Sequence, residues 1–276
     1  MNKIDNAIIL NGPGRSGTTL ISQILSYHDD LGWVSSWNNA FPNQSFLAIL
    51  NRPYSAKLFG IDWHKIKKSP KPSEAYDYWK HFFGHFNNSN QNPQERTKDI
   101  FTNAPLVASK INGILKWQGK PRFITKITGP ARKEYLDAIF EDYKLVWIER
   151  DPRVVVSSYI KQKWFYKDKP EEFANLTEEE KISFYCSYYL KLRKESKKYD
   201  DSILVRYEDL TRDTVGFFKK LCADLNLPYT SRFAQIVENW QMKEVGWDFY
   251  KEKYSAKGVE QMNNLLSEEI KELGYS

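Results

Sequence analysis

The chain has 276 residues, 41 Lys and Arg against 35 Asp and Glu, a formal charge of +6, and aromatics at 15%. That length suits one α/β unit, and the longest apolar runs, residues 7–10 and 154–156, fall far short of the roughly 18 residues that a membrane span needs. Lys3 and Asp5 precede only four apolar residues with no cleavage site after them, so a cytoplasmic protein is expected; Cys186 and Cys222 are too few for a disulfide framework and have no metal-ligand spacing, which predicts buried, inert thiols.

Ala7–Asn11 reads as a short buried strand, and after a glycine-rich turn Leu20, Ile21, Ile24 and Leu25 repeat at helical spacing over residues 18–27. Residues 41–119 differ in composition, being rich in Asn, Pro and aromatics. Helices are expected near 73–86 and 102–117, an exposed loop at the Asn-rich run 87–92, and no strand, so this stretch reads as a largely helical insertion laid over a sheet. The alternation then resumes: strand 123–126, helix 132–140, strand 145–149, helix 153–163, strand 203–206 and an amphipathic helix 214–225. Strands alternating with helices predict an α/β fold, a mostly parallel sheet of P-loop type covered on both faces, with residues 1–276 forming a single domain. Near the end, Val259, Met262, Leu265, Leu266, Ile270 and Leu273 form one apolar helical stripe, a packing face.

The run Gly12-Pro13-Gly14-Arg15-Ser16-Gly17-Thr18-Thr19 lies between the first strand and the first helix, where backbone N–H groups and the positive end of the helix favour a phosphate. The glycine spacing is that of a nucleotide-binding loop, yet Thr18 stands where a Mg-nucleotide enzyme carries its lysine. Arg15 supplies a fixed cation instead. A second cluster, Ile148-Glu149-Arg150-Asp151-Pro152-Arg153, ends a strand and opens a helix. Asp151 suits the N-cap and Pro152 the first helical position. Arg150 and Ser158 can converge on one phosphate, unless Arg150 is spent in an ion pair with Glu149 or Asp151. A one-sided basic window also stands out: Lys110, Lys116, Lys120, Arg122, Lys126, Arg132 and Lys133 have no acidic residue among them, which fits either a solvated face or a polyanionic ligand.

These residues carry a family resemblance. Gly14-Arg15-Ser16-Gly17-Thr18-Thr19-Leu20 resembles the 5'-phosphosulfate loop of sulfotransferases that use 3'-phosphoadenosine 5'-phosphosulfate (PAPS), in particular the tyrosylprotein and bacterial branches. Arg150, Asp151-Pro152 and a serine eight positions after the arginine resemble the family's 3'-phosphate motif, in the family's order. Val205-Arg206-Tyr207-Glu208-Asp209-Leu210 is similar to a later family segment whose tyrosine lies by the adenine, and Leu273-Gly274-Tyr275 resembles the close of the bacterial branch.

The resemblance implies transfer of a sulfonate group from PAPS to a hydroxyl or amine, with release of 3',5'-ADP and no metal. It implies cofactor contacts from Gly14, Arg15, Ser16, Gly17, Thr18, Thr19, Arg150, Ser158 and Tyr207. Lys126 and Arg15 then meet the charge that grows on the leaving phosphate oxygen. The acceptor is expected to be a small molecule, carbohydrate or lipid rather than nucleic acid, and the insertion is expected to shape its pocket. The base departs from both family patterns: the cytosolic branch's histidine falls near Thr128, and the tyrosylprotein branch's glutamate near Ser35 or Ser36. Asp62, His64, Glu74, His81 and His85 are the candidates left, none preferred. Two other readings stand beside this one, a P-loop kinase for a small molecule and a non-enzymatic polyanion-binding module.

Overall fold

The computed structural model describes residues 3–56, 63–86, 93–199, 201–240 and 249–275. The Asn-rich run 87–92 and Asp62 lie outside them. Five strands, β1 (Ala7–Asn11), β2 (Leu31–Gly32), β3 (Arg122–Lys126), β4 (Tyr143–Glu149) and β5 (Ile203–Arg206), join in the order β2-β3-β1-β4-β5. Every pairing is parallel. The α/β expectation holds, and the described residues add one strand that was not expected, β2, whose two residues are too short to leave a periodic signal.

Alternation along the strands sorts the side chains into two layers. Ala7, Ile9, Phe123, Leu145 and Trp147 face one side, where the helices Tyr76–Phe82 and Pro93–Gln118 add Tyr78, Trp79, Val107 and Ile111. Ile8, Leu10, Ile124, Val146, Ile148 and Val205 face the other, covered by helices Thr18–Leu25, Thr214–Asp224 and Ser231–Glu238. The aromatic wealth of the 41–119 stretch goes largely into packing: Tyr54, Tyr78, Trp79, Phe82, Phe83 and Phe86 are buried, whereas Phe41, Phe46, Phe101 and Trp117 are exposed. Cys186 and Cys222 are buried, and burial pushes both thiols up to about 12.

The C-terminal stripe is not one helix. It breaks at Leu266 into Ala256–Leu265 and Ser267–Glu272; Met262 and Leu266 are buried, but Leu265 is exposed. The helix expected at 73–86 is also shorter, Tyr76–Phe82, because Ala75 adopts a left-handed conformation with φ of 55°. Glu74 therefore sits in the segment leading into it.

Helix Glu178–Ser196 is fastened to the end of β4 by a buried carboxylate. Trp147 Nε1 donates to Glu149 Oε1 (2.6 Å), the Tyr189 hydroxyl donates to Oε2 (3.1 Å), and Arg193 Nη1 lies 3.4 Å away. Arg193 reaches on to Glu272 at 2.9 Å, tying in the C-terminal helix. Burial, opposed by the Arg193 charge, pushes the Glu149 carboxyl up from 4.5 to about 7. Because its folded value is raised, this group's contribution to stability is complete below about pH 4.5 and is lost as pH rises through about 7. Glu149→Gln is expected to flatten that slope, worth on the order of 3 kcal/mol, in urea unfolding curves measured between pH 4.5 and 7.5; an unchanged slope would assign the pH dependence elsewhere.

Candidate functional site: an anion-binding cleft at the strand ends

Strand order reverses at β1, whose neighbours β3 and β4 lie on opposite sides. Ligands of open parallel sheets bind at such a point, outside the carboxyl ends of the strands. Three segments leave the sheet there: the glycine-rich loop after β1, Lys126 closing β3, and Arg150 following β4.

The loop is shaped by what packs on it. Gly17 has φ of +91°, and a Cβ there would collide with the Tyr207 ring; a Cβ on Gly14 would collide with the Trp164 indole. Both positions need glycine. Ser16 N donates to Pro13 O (3.2 Å), closing the turn, and helix Thr18–Leu25 begins at once, so its first N–H groups face the loop without intrahelical acceptors. Ser16 Oγ is buried without a hydrogen-bond partner among the described residues.

The second cluster meets the loop directly. Arg15 Nε donates to Ser158 Oγ (3.0 Å), and Arg150 Nη1 donates to the Arg15 carbonyl (3.4 Å). Asp151 caps helix Pro152–Gln162 by accepting from Arg153 N (2.9 Å), and its carboxylate also holds the Arg153 guanidinium at 2.7 Å. Both carboxylates expected from sequence as partners of Arg150 are thus committed, Glu149 to Arg193 and Asp151 to Arg153, and no ion pair of Arg150 is formed among the described residues. The ion-pair reading of Arg150 is set aside.

Arg150 Nε and Nη2 are instead buried without partners among the described residues, and the guanidinium lies 4.5 Å over the Tyr207 ring. Burial pulls the Arg150 pKa down, opposed by Tyr207 and Glu208, and Arg15 adds to the fall. Two converging guanidiniums, orphaned donors and an orphaned hydroxyl form a site whose charge and hydrogen bonds a phosphate-bearing ligand completes. Tyr207, 8% exposed, is wedged between Gly17 and Arg150 and supports both.

Beside the loop lies a cavity of about 480 Å³ lined by Arg15, Thr18, Thr19, Glu74, Tyr76, Lys126, Thr128 and Trp164. Lys126 Nζ contacts Thr19 Oγ1 (2.9 Å) and Glu74 Oε1 (3.0 Å), while Thr128 Oγ1 donates to the same Glu74 oxygen (3.0 Å). Burial lowers the Lys126 pKa and Glu74 opposes that shift. Glu74 arrives because its segment runs against Val34–Ser36: Ser36 N donates to Lys71 O (2.8 Å) and Ser73 N to Val34 O (3.0 Å). The segment leading to Glu74 thus runs beside Ser35 and Ser36, while its carboxylate reaches Lys126 and Thr128.

Of the other carboxylate and imidazole candidates, His81 faces outward with its Nε2 on Asn43 Nδ2 (3.0 Å), and His85 lines a different cavity. Asp62 and the side chain of His64 lie outside the described residues. The basic window is mostly structural: Lys110, Lys120 and Arg122 donate to backbone carbonyls of Asn43, Asp29 and Asn6.

Residues 7–231 match the sulfotransferase family. The chain belongs to that family. This sulfotransferase is similar in fold to sulfotransferase STF9 from Mycobacterium avium, at a TM-score of 0.63 and 14% identity over 100% of this chain and 78% of that one. It is also similar to STF1 from Mycobacterium tuberculosis H37Rv (TM-score 0.54, 14% identity, 95% and 77% covered). The sulfotransferase domain of the curacin biosynthetic pathway gives 0.52, with 15% identity over 100% and 99% of the two chains. No curated protein matches the sequence significantly. None of the described helices of this sulfotransferase is long and apolar enough to cross a membrane.

Proposed function

We propose that the protein transfers the sulfonate group of PAPS to a hydroxyl or amine of a small-molecule, carbohydrate or lipid acceptor and releases 3',5'-ADP. The observation that carries this reading is the contact between the two anion cradles, Arg15 on Ser158 and Arg150 on the Arg15 carbonyl, with the donors of Arg150 and Ser16 unpartnered. One nucleotide with phosphates at both ends of its ribose supplies acceptors for both. Residues Gly14–Thr19 and Lys126 hold the 5' end; Arg150 and Ser158 hold the 3' end, with Tyr207 beneath. When bound, the donor supplies an electrophilic sulfur and a phosphate as leaving group.

The chain's own work is electrostatic and protolytic. Lys126 and Arg15 hold positive charge where a phosphate oxygen departs, in a site partly closed to water. Thr128 and Lys126 hold Glu74 Oε1 in place at 3.0 Å each, and its second oxygen, Oε2, without a hydrogen-bond partner among the described residues, accepts a proton from an acceptor hydroxyl entering the cavity. Glu74 is the base that neither family pattern places in this sequence. Tyr76 and Trp164 flank the cavity with aromatic faces, and Tyr76 comes from the 41–119 stretch, so that stretch shapes the acceptor side.

The kinase alternative lacks a lysine at Thr18, and no feature of the cleft favours it. Calorimetry separates the readings. The expected result is binding of 3',5'-ADP without magnesium and far weaker binding of Mg-ATP; the opposite preference would overturn the proposal, and salt-sensitive binding of any polyanion without nucleotide preference would favour a non-enzymatic module.

A further inference from the structure

A second cavity, of about 470 Å³, is lined by aromatic side chains, Phe86, Tyr135, Phe165 and Tyr188, and by a surplus of cations. The proposed chemistry uses none of it. It shares a wall with the Lys126 cleft. Tyr76, from the cleft, donates its hydroxyl to Thr128 O (2.8 Å), and Arg132, from the second cavity, donates Nη1 to the same carbonyl (3.3 Å). The consecutive residues Trp164 and Phe165 line one cavity each, so the rims adjoin.

Most of the cations here are already matched. Arg96 pairs with Glu134 (2.9 Å), Lys198 with Glu195 (2.7 Å) and Lys133 with Asp137 (2.8 Å). Two are not. Arg132 donates Nε to Phe86 O (3.1 Å) and Nη1 to Pro130 O (3.0 Å) and Thr128 O, and lies 4.6 Å over the Phe86 ring; among the described residues no carboxylate pairs with it and its Nη2 is uncommitted. Lys191 is exposed on the same cavity and has no ion pair among the described residues. A guanidinium fixed by carbonyl dipoles, partly desolvated and lacking a counter-ion, is the setting that an oxyanion completes. The aromatic lining accepts the apolar body that carries it.

We propose that this cavity receives an oxyanionic group of the acceptor, a carboxylate or a phosphate or sulfate ester on an apolar body, with Arg132 and Lys191 as its recognition pair. The acceptor spans the shared wall, its reacting hydroxyl at Glu74 and its anionic arm at Arg132. The proposal deepens the sulfotransferase reading and rests on it for the word acceptor.

Protein saturated with 3',5'-ADP, so that the nucleotide's phosphate sites are filled, is titrated calorimetrically with benzoate, phenyl phosphate and benzamide. Benzoate or phenyl phosphate is expected to bind at least about 10-fold more tightly than neutral benzamide, and whichever anion is preferred identifies the kind of arm. Lys191→Met, at an exposed and unpaired position that the fold does not use, is expected to remove about 10-fold of that affinity, and Lys191→Arg to restore it. Equal affinity for benzamide and the anions, or anion binding indifferent to Lys191→Met, overturns the site while leaving nucleotide binding intact. Lys191-dependent anion binding in a protein that fails to bind 3',5'-ADP upholds the anion site and overturns the sulfotransferase reading.

Discussion

Replacing Glu74 by Gln is expected to lower kcat by roughly 10³-fold, within the range by which a positioned base accelerates proton transfer, while 3',5'-ADP binds with unchanged affinity. The amide keeps the size of the side chain and can still accept from Thr128 and Lys126, so cleft geometry survives and proton acceptance does not. Lys126→Met is expected to cost about 10²- to 10³-fold in kcat, the effect of deleting one donor aimed at developing charge. It should also free Glu74 from its only ion-pair partner among the described residues, 3.0 Å away. The two losses should therefore not multiply, since each residue positions the other. The check is single-turnover transfer from radiolabelled PAPS to a panel of phenols and amines. A Glu74→Gln protein with undiminished turnover would return the role of base to an unassigned group.

Arg150→Ala should weaken 3',5'-ADP binding by about 100-fold, near the value of a charge-assisted hydrogen bond to a phosphate, with no loss of thermal stability. Its guanidinium forms no ion pair among the described residues, and two of its nitrogens are buried without partners, so removal relieves a cost of folding. Arg153, three positions on, has the opposite profile. It is 8% exposed, clamped by Asp151 at 2.7 Å and stacked 5.2 Å over Tyr250. Removing it leaves Asp151 buried and unpaired, which costs about 3 kcal/mol and lowers Tm by on the order of 10 °C in a chain of this size. Nucleotide affinity should change little. Equal effects of the two substitutions on both readouts would mean that the 3'-phosphate site has been misplaced.

The contrast between these arginines is readable in the sequence because both sit in a local device. A strand end, an Asp-Pro cap and the first helical turn fix which side chain faces the crevice and which faces the cap, all within four residues. The loop after β1 is local in the same way, so Arg15 and Ser16 stand out from their spacing alone, whereas Lys126, at the end of β3, is singled out by the family resemblance. Glu74 was visible only as one carboxylate among several candidates. Its position depends on residues 71–73 pairing with Val34–Ser36, a contact between segments nearly 40 residues apart with no periodic signature. The basic window could not be sorted from sequence for a related reason: charge counts along a chain do not reveal that Lys120 and Arg122 point at backbone carbonyls while Lys126 lines the cleft. Tyr207, expected at the adenine on family grounds, packs against Gly17 and lies under Arg150, contacts that only the folded sheet creates.

The decisive measurement is a crystal structure of the protein with 3',5'-ADP. The account predicts a single nucleotide with its 5'-phosphate on the N–H groups of Gly17 to Thr19 and the Ser16 hydroxyl, beside Lys126, and its 3'-phosphate on Arg150 and Ser158. Density for the nucleotide elsewhere, or with only one of its phosphates on these residues, would contradict it.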